Sequence, residues 1–366
     1  MHVNIGLAQL SDHFLLSTVF LYALAMLAFA GDFAFGRMKP AQEPETEPAA
    51  AKMAVAAGVA APAGQAATGS GGLPGKLPPG SAGARPASSN GSAAASGDHT
   101  VAASRWRASG APASRWVQAG IALIVIGVVS QIIGILTRGM SEHRIPWGNM
   151  YEFITAFTCA AVLAFLVVLV RYRVYSLGLF VMAPIVIALG LCATVLYTAE
   201  GPLVPALHSY WIAIHVTAMI VAIGSYIVAA VMTVMYLVAD RYVQRHGEGS
   251  QEGFGVVLAR LPSREALDRM SYRTVVFAFP VWTFAVIAGA IWADQAWGRY
   301  WGWDPKETWS FITWVVYAGY LHARATAGWR GRKAGYIHLV AFVCLMFNLV
   351  GVNLWITGLH SYAGIN

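Results

Sequence analysis

Residues 211–239 read WIAIHVTAMIVAIGSYIVAAVMTVMYLVA, and this stretch contains no Asp, Glu, Lys or Arg. A helix that crosses a bilayer needs about 20 predominantly apolar residues, so this stretch is long enough to span one. The same pattern recurs in seven further stretches, which cover residues 14–36, 116–137, 149–170, 174–197, 273–293, 308–327 and 336–357. We therefore predict an all-α polytopic membrane protein with about eight transmembrane helices.

The composition of the whole chain excludes an ordinary soluble protein. Hydrophobic residues make up 57% of the 366 residues and charged residues only 11%, whereas a soluble domain has about 25% charged residues. A disordered chain is excluded as well, because it would be poor in apolar residues. The three cysteines form neither a CxxC nor a CxxCH motif. This argues against a thiol oxidoreductase of that type and against haem attached covalently to this chain.

The chain divides into three predicted regions. Residues 1–39 form an N-terminal transmembrane helix, residues 40–115 form a linker, and residues 116–366 form a seven-helix membrane domain. Between residues 61 and 100, 30 of the 40 residues are Ala, Gly, Pro or Ser. Such a stretch buries too little apolar surface to offset the entropy of ordering it, so we expect a disordered cytoplasmic linker.

The first apolar stretch and the basic residues together predict the orientation. Ala28-Phe29-Ala30 resembles a signal-peptide cleavage site, but no Lys or Arg precedes Phe14, so we interpret the stretch as a retained helix with its N-terminus outside. In this orientation 20 of the 24 Lys and Arg residues lie on the cytoplasmic side, and omitting the stretch between the first two helices leaves 12 against four. This asymmetry follows the positive-inside rule and places both termini outside. The net charge of +7 then needs no nucleic-acid partner to explain it.

Tryptophan is concentrated in one connection. Seven of the 13 tryptophans fall between residues 282 and 314, and residues 297–309 read WGRYWGWDPKETW. A membrane-interface belt explains one or two tryptophans per helix end, but not so many around charged and Gly residues. We call residues 294–309 the external aromatic segment and expect it to form a platform for a large planar ligand, whose carboxylates Arg299 and Lys306 would meet. Its candidate binding residues are Trp297, Trp301, Trp303, Asp304 and Trp309.

Two histidines are predicted on the same face as this segment. His215 lies about one turn into the fifth predicted span, and His360 follows the outer end of the eighth. Ionisable residues inside a membrane are costly and indicate function. Two neutral imidazoles facing each other across an aromatic pocket would form a bis-histidine haem site. For any single histidine the alternative is a hydrogen bond to a neighbouring helix, and His208 is a competing outer ligand.

The roles of four other polar residues stay open between alternatives. His322 lies near the inner end of the seventh predicted span, and His338 is a possible partner for it because both lie near the cytoplasmic ends of adjacent spans. Asp304 and Glu307 are either hydrogen-bond partners of the ligating residues or caps of the seventh helix, and capping is favoured for Glu307.

The stretch WGRYWGWDPKETWSFITWVVYAGYLHAR resembles the WWD signature of the CcsA/ResC family of cytochrome c biogenesis proteins, called CcsB in some bacteria. LVPALHSYWIAIHVTAMIVAIGSY resembles the segment with the family's first external histidine, which matches His215, and GVNLWITGLHSY resembles the segment with the second, which matches His360. The histidine in YLHAR matches the family's intramembrane histidine, His322. PWGNMYEF and LDRMSYRTVVFAFP are also similar to family segments. The resemblance covers roughly residues 116–366 and not the linker.

This resemblance implies that the chain handles haem. Members are thought to deliver haem b from the cytoplasmic side and to present it outside for covalent attachment to apocytochrome c, as in the system II type of maturation. The WWD segment would hold the porphyrin, and His215 and His360 would be the axial ligands of the external haem iron. His322 would ligate haem iron within the membrane.

The resemblance also implies partners and a location. A ResB-type membrane protein would join the chain in a cytochrome c synthase, a thioredoxin-like protein would supply reduced thiols, and the complex would lie in the plasma membrane with its active face extracytoplasmic. Three alternatives remain open. One is a haem transporter whose partner performs the attachment. Another is a WWD protein that passes haem to a chaperone, although WGWDPKETWS favours the CcsA type. The third is a transporter of an unrelated solute, with tryptophans as interface anchors.

Overall fold

The computed structural model describes residues 4–36, 114–199, 205–247 and 253–360, and these ranges contain helices and turns but no β-strand. Their long helices are α1 (Ile5–Phe35), α2 (Arg115–Glu142), α3 (Met150–Tyr172), α4 (Gly178–Thr194), α5 (Tyr210–His246), α6 (Arg264–Trp297), α7 (Pro305–Thr326) and α8 (Arg332–Trp355). Each helix matches one predicted stretch, so the predicted all-α membrane fold is confirmed. The predicted linker lies outside the described residues, apart from its last two.

Seven of these helices, all except α7, are long and apolar enough to cross a membrane. The 22 residues of α7 extend for about 33 Å, which matches the thickness of a bilayer core. However, α7 carries Lys306 and Glu307 in its first turn and Arg324 in its last, and its interior is rich in Trp, Tyr and Thr. By mean hydropathy, seven of the described helices qualify as membrane spans, where the sequence predicted about eight. α7 is an eighth helix of the same bundle, and the sides on which the termini lie stay predictions.

Three helices extend furthest beyond the apolar stretches that predicted them. α1 begins at Ile5 rather than at residue 14, and the Asn4 side chain caps it. α5 continues to His246, and α6 begins at Arg264, whose guanidinium donates to Asp240 at 2.9 Å. Hydropathy marks only the apolar part of a helix, whereas the backbone hydrogen bonds continue into polar ends until a cap or a turn stops them.

The connections that were predicted outside meet at one end of the bundle, which we call the outer end. Ser209, just before α5, donates to Gln295 near the end of α6 at 2.6 Å. Arg138, near the end of α2, donates to the carbonyl oxygen of Thr198, in the connection between α4 and α5, at 2.6 Å. Consecutive helices are therefore antiparallel here, and the external aromatic segment joins α6 to α7 at this same end.

The centre of the bundle is an aromatic layer between α5, α6 and α7. Tyr226 and Tyr317 stack with their ring centroids 4.0 Å apart, and Trp282 meets Tyr226 edge to face at 6.2 Å. All three side chains are fully buried. Trp282 also lines the cavity described next, so this dense layer closes the cavity on its inner side.

Candidate functional site

A cavity of about 820 Å³, including its open mouth, lies at the outer end between α3, α5, α6, α7, α8 and the external aromatic segment. Ligand sites are mostly apolar with a few polar groups, and the wall of this cavity likewise consists mainly of apolar and aromatic residues. Of the predicted site residues, His215, His360, Trp297 and Trp301 line it. The structure thus brings together both predicted outer ligands and two of the predicted tryptophans.

The imidazole of His215 is held against α6. Its Nδ1 lies 2.7 Å from the carbonyl oxygen of Ala285. Because a carbonyl oxygen only accepts, Nδ1 donates the proton and Nε2 keeps its lone pair. A Cβ built on Gly289 would lie 2.6 Å from the ring atoms Cε1 and Nδ1, so the glycine permits this close approach. The Trp292 ring is nearly parallel to the imidazole, with an interplanar angle of 11° and centroids 6.0 Å apart.

The imidazole of His360 is held by a carboxylate and two indoles. Its Nδ1 lies 2.9 Å from Asp304 Oδ2, and the Leu359 amide donates to Asp304 Oδ1 at 2.7 Å. A charged carboxylate only accepts, so Nδ1 of His360 also carries a proton, and in the neutral imidazole the lone pair is on Nε2. The rings of Trp292 and Trp297 meet the imidazole edge to face, at centroid distances of 5.7 Å and 5.0 Å.

Trp292 therefore contacts both histidines. Its ring centroid lies 6.0 Å from that of His215 and 5.7 Å from that of His360, so the two imidazole centroids are at most 11.7 Å apart. The two rings have the same tautomer and line one aromatic-walled cavity. Two neutral imidazole nitrogens of this kind are suited to ligate a metal ion at the centre of a planar ligand.

Asp304 both caps α7 and contacts His360. Its side chain accepts from backbone amides at the start of α7, while the Glu307 side chain accepts from the amides of Asp304 at 3.1 Å and Gly302 at 2.8 Å. This reciprocal arrangement is a capping box, which confirms that Glu307 caps α7. Asp304 combines two predicted contacts, because it caps α7 and also forms a hydrogen bond with His360. Burial favours the neutral carboxyl, but hydrogen bonds from His360 and Leu359 outweigh it and hold the pKa of Asp304 below its ordinary value.

The backbone before this cap is unusual. Trp303 has a φ of 59°, a left-handed conformation that is rare for a bulky residue and costs about 1–2 kcal/mol. The capping box and the contact between Asp304 and His360 hold it in place. Strained backbone held by its surroundings is often found at functional sites.

The two predicted carboxylate-binding residues have different surroundings. The Arg299 guanidinium lies 3.4 Å from Glu307 and against Gly302, where it occupies the place that a Cβ would take. It therefore belongs to the capping structure. Lys306 lines the cavity, and its ammonium donates to the carbonyl oxygen of Asn348 at 2.9 Å.

The tryptophans do not form one flat platform. Trp303 is 64% exposed and meets Phe311 edge to face at 6.0 Å. Trp309 packs on Phe347, with centroids 4.3 Å apart. Neither of these tryptophans is among the residues that line the cavity. Trp292 was missed as a site residue, although it belongs to the tryptophan cluster in the sequence.

The remaining candidate histidines lie elsewhere. His208 is exposed and does not line the cavity. His338 is fully buried, its Nδ1 lies 2.8 Å from Thr233 Oγ1, and its ring packs near Tyr320. His322 is exposed on α7. It follows Tyr320 by two residues, a rotation of about 200° around the helix, so the structure separates His322 from its possible partner His338.

Comparison with known proteins gives a family assignment. The sequence pattern of the Cytochrome C assembly protein family matches residues 147–360. The chain is 34% identical over 260 residues to a protein of Guillardia theta named cytochrome c biogenesis protein CcsA, covering 68% of this chain and 85% of that protein. It is also 34% identical over 286 residues to the CcsA of Gloeobacter violaceus, covering 64% and 83%. The CcsA of Mesostigma viride is 34% identical over 248 residues, covering 62% and 79%.

Proposed function

This chain belongs to the Cytochrome C assembly protein family and has a role in cytochrome c biogenesis, and from that premise we propose that it binds haem between His215 and His360 and presents it to apocytochrome c. Membership implies that haem is handled and that apocytochrome c is the acceptor. The finer proposal is that haem b occupies the aromatic cavity at the outer end of the bundle. In this scheme haem is the cargo of the protein and a substrate of the attachment reaction.

One observation carries the proposal: two imidazoles with the same tautomer line a single aromatic-walled cavity. Each Nδ1 lies against a fixed acceptor, so Nε2 is the ring nitrogen through which each histidine would ligate iron. The wall contains Trp292 and Trp297, whose flat apolar faces suit a porphyrin. These residues fit haem chemically, because neutral imidazole is a common axial ligand of haem iron.

Attachment to apocytochrome c is an addition reaction. The sulfur of each CxxCH cysteine forms a bond to one vinyl carbon of the haem, and the thiol proton goes to the other vinyl carbon. The protein would contribute by position, because holding haem in the cavity makes its encounter with the acceptor thiols effectively unimolecular. His215 and His360 hold the iron until the histidine of the acceptor replaces one of them.

The wider proposal includes partners and location. We assign the outer end of the bundle to the extracytoplasmic face of the plasma membrane, following the distribution of Lys and Arg. A ResB-type partner would complete a cytochrome c synthase, and a thioredoxin-like reductant would keep the acceptor thiols reduced. His322 is exposed on α7, which suits a haem ligand that is shared with such a partner at an earlier stage of delivery.

Single substitutions of the two histidines test this function. His215→Gly and His360→Gly are expected to abolish maturation of a reporter cytochrome c in cells that make the ResB-type partner. Added imidazole should partly restore maturation, because it fills the space of the missing ring. His208→Gly is the matched control, since His208 is an outer histidine that does not line the cavity. Normal maturation in either cavity variant would refute the ligand assignment.

A further experiment separates presentation from transport alone. Haem would be loaded onto the detergent-purified chain with its partner, and an apocytochrome c peptide that contains CxxCH would be added. Formation of a haem–peptide thioether supports presentation for attachment. Stable haem binding with no thioether under reducing conditions would favour the haem transporter, and no haem binding at all would favour the transporter of another solute.

A further inference from the structure

The wall of the cavity has a polar corner whose hydrogen-bonding capacity is not used up. Two other polar residues of the wall are already paired: Glu307 accepts from backbone amides and pairs with Arg299, and Ser310 donates to the carbonyl oxygen of Glu307 at 2.7 Å. The corner consists of Lys306 on α7 and Asn348 on α8. We call these two residues the Lys306–Asn348 corner.

A π-helical turn in α8 creates this corner. The turn covers Phe347–Gly351, and the Val352 amide donates to the carbonyl oxygen of Phe347, five residues before it. In an α-helix that amide would donate to Asn348 instead. The carbonyl oxygen of Asn348 accepts from the Lys306 ammonium at 2.9 Å. Single π turns inside α-helices occur frequently at functional sites.

Both side chains of the corner can bind a further acceptor. The Lys306 ammonium has three N–H donors, and the bond to Asn348 uses one of them. Asn348 is 8% exposed, and its side-chain oxygen is buried with no hydrogen-bond partner among the described residues. The Nδ2 of the same amide is not among these buried atoms, and it carries two N–H donors.

From this arrangement we propose that the Lys306–Asn348 corner binds one carboxylate of the ligand in the cavity. The ammonium of Lys306 and the side-chain nitrogen of Asn348 would each donate to the carboxylate, and the ammonium would gain a counter-ion in direct contact with it. The corner would therefore fix the rotation of a planar ligand about the axis between the two histidines. This inference rests on the proposed function, and for haem the carboxylate is a propionate.

The structure favours Lys306 over Arg299 for this role. Arg299 was an equal candidate from the sequence, but its guanidinium lies against Glu307 and over Gly302. Moving it toward a ligand would leave Glu307 without that cation. Lys306 needs no such exchange, because it already lines the cavity and its acceptor is a neutral carbonyl oxygen.

A comparison of two porphyrins tests the corner. Haem b and its dimethyl ester, in which both carboxylates are esterified, would be titrated into the detergent-purified chain, and binding would be followed by visible absorption. The wild-type protein is expected to bind haem b about tenfold or more tightly than the ester, which is the effect of one charge-assisted hydrogen bond. Lys306→Met should remove most of this difference while the absorption bands of histidine-ligated iron remain.

Lys333→Met is the matched control, because Lys333 lies over Trp329 on α8 at the opposite end of the bundle. It should keep the wild-type preference for haem b. An equal affinity of the wild-type protein for both porphyrins would overturn the inference, and so would an undiminished preference in Lys306→Met. In both cases histidine ligation, and with it the proposed function, would stand. Failure of the wild-type protein to bind either porphyrin would contradict the proposed function and this inference together.

Discussion

Gly289→Ala is predicted to disrupt His215 without removing any group of the site. The new Cβ would lie 2.6 Å from the imidazole, whereas ordinary contact begins at 3.4 Å, so the ring must retreat from α6 by about 0.8 Å. Because Ala285 is also on α6, the bond from Nδ1 would lengthen from 2.7 Å toward about 3.5 Å, beyond the usual range. A metal site tolerates about 0.2 Å in a ligand distance, so ligation by His215 should be lost.

The assay measures haem ligation and stability in the same sample. Alanine in place of glycine inside a helix stabilises it by about 0.5–1 kcal/mol, and losing the His215 hydrogen bond costs about 1 kcal/mol, so the midpoint of thermal unfolding should change little. Visible spectra should change from six-coordinate to five-coordinate haem. Gly319→Ala, where no atom lies within 4 Å of the new Cβ, should keep the wild-type spectrum. A wild-type spectrum in Gly289→Ala would refute the reasoning.

Three further predictions address other parts of the account. Asp304→Asn removes the negative charge beside His360, so haem affinity should fall by about 10- to 100-fold. The midpoint potential of the bound haem should rise, and an unchanged potentiometric titration would contradict this. Gly302→Ala places a Cβ against the Arg299 guanidinium. Because this group is the end of a flexible side chain, it should move aside and lose its ion pair with Glu307, which should destabilise the protein by no more than about 1 kcal/mol; a large fall in the thermal midpoint would contradict this. His322→Gly should reduce haem loading in cells. The affinity of the purified chain for added haem should stay unchanged, because His322 is exposed away from the cavity. Haem loading in cells equal to that of the wild type would count against the role of His322.

The helices could be predicted from sequence because an apolar stretch of bilayer length has few other structures available. The exceptions have physical reasons. α7 is helical in the predicted place, but Glu307 and Arg324 near its ends and its many aromatic residues lower its hydropathy. The polar ends of α5 and α6 were missed because hydropathy does not follow the backbone hydrogen bonds that continue into them.

The sequence predicted the end of the bundle at which a residue lies, but it did not predict the direction in which the side chain faces. The sequence placed His215 and His360 near the same face of the membrane, and both line the cavity at one end of the bundle. It did not separate Trp301, which lines the cavity, from Trp309, which packs on Phe347. Facing directions depend on how each helix is rotated against its neighbours, and no single-helix pattern contains that information.

The contacts that hold the site residues in place were the least predictable features. Gly289 carries no chemistry of its own, and its importance appears only when the His215 ring is seen against it. The different roles of Arg299 and Lys306 likewise depend on Glu307 and on the π turn around Asn348. Such contacts join residues that are far apart in sequence, so residue spacing alone does not reveal them.

The most direct test of the central claim is the visible absorption spectrum of the detergent-purified chain, oxidised and reduced, with and without its ResB-type partner. We expect sharp bands of low-spin b-type haem with two histidine ligands, and these bands should weaken in His215→Gly and in His360→Gly but not in His208→Gly. A well-folded sample from haem-replete cells that contains no haem, alone or with the partner, would contradict the claim that the cavity binds haem.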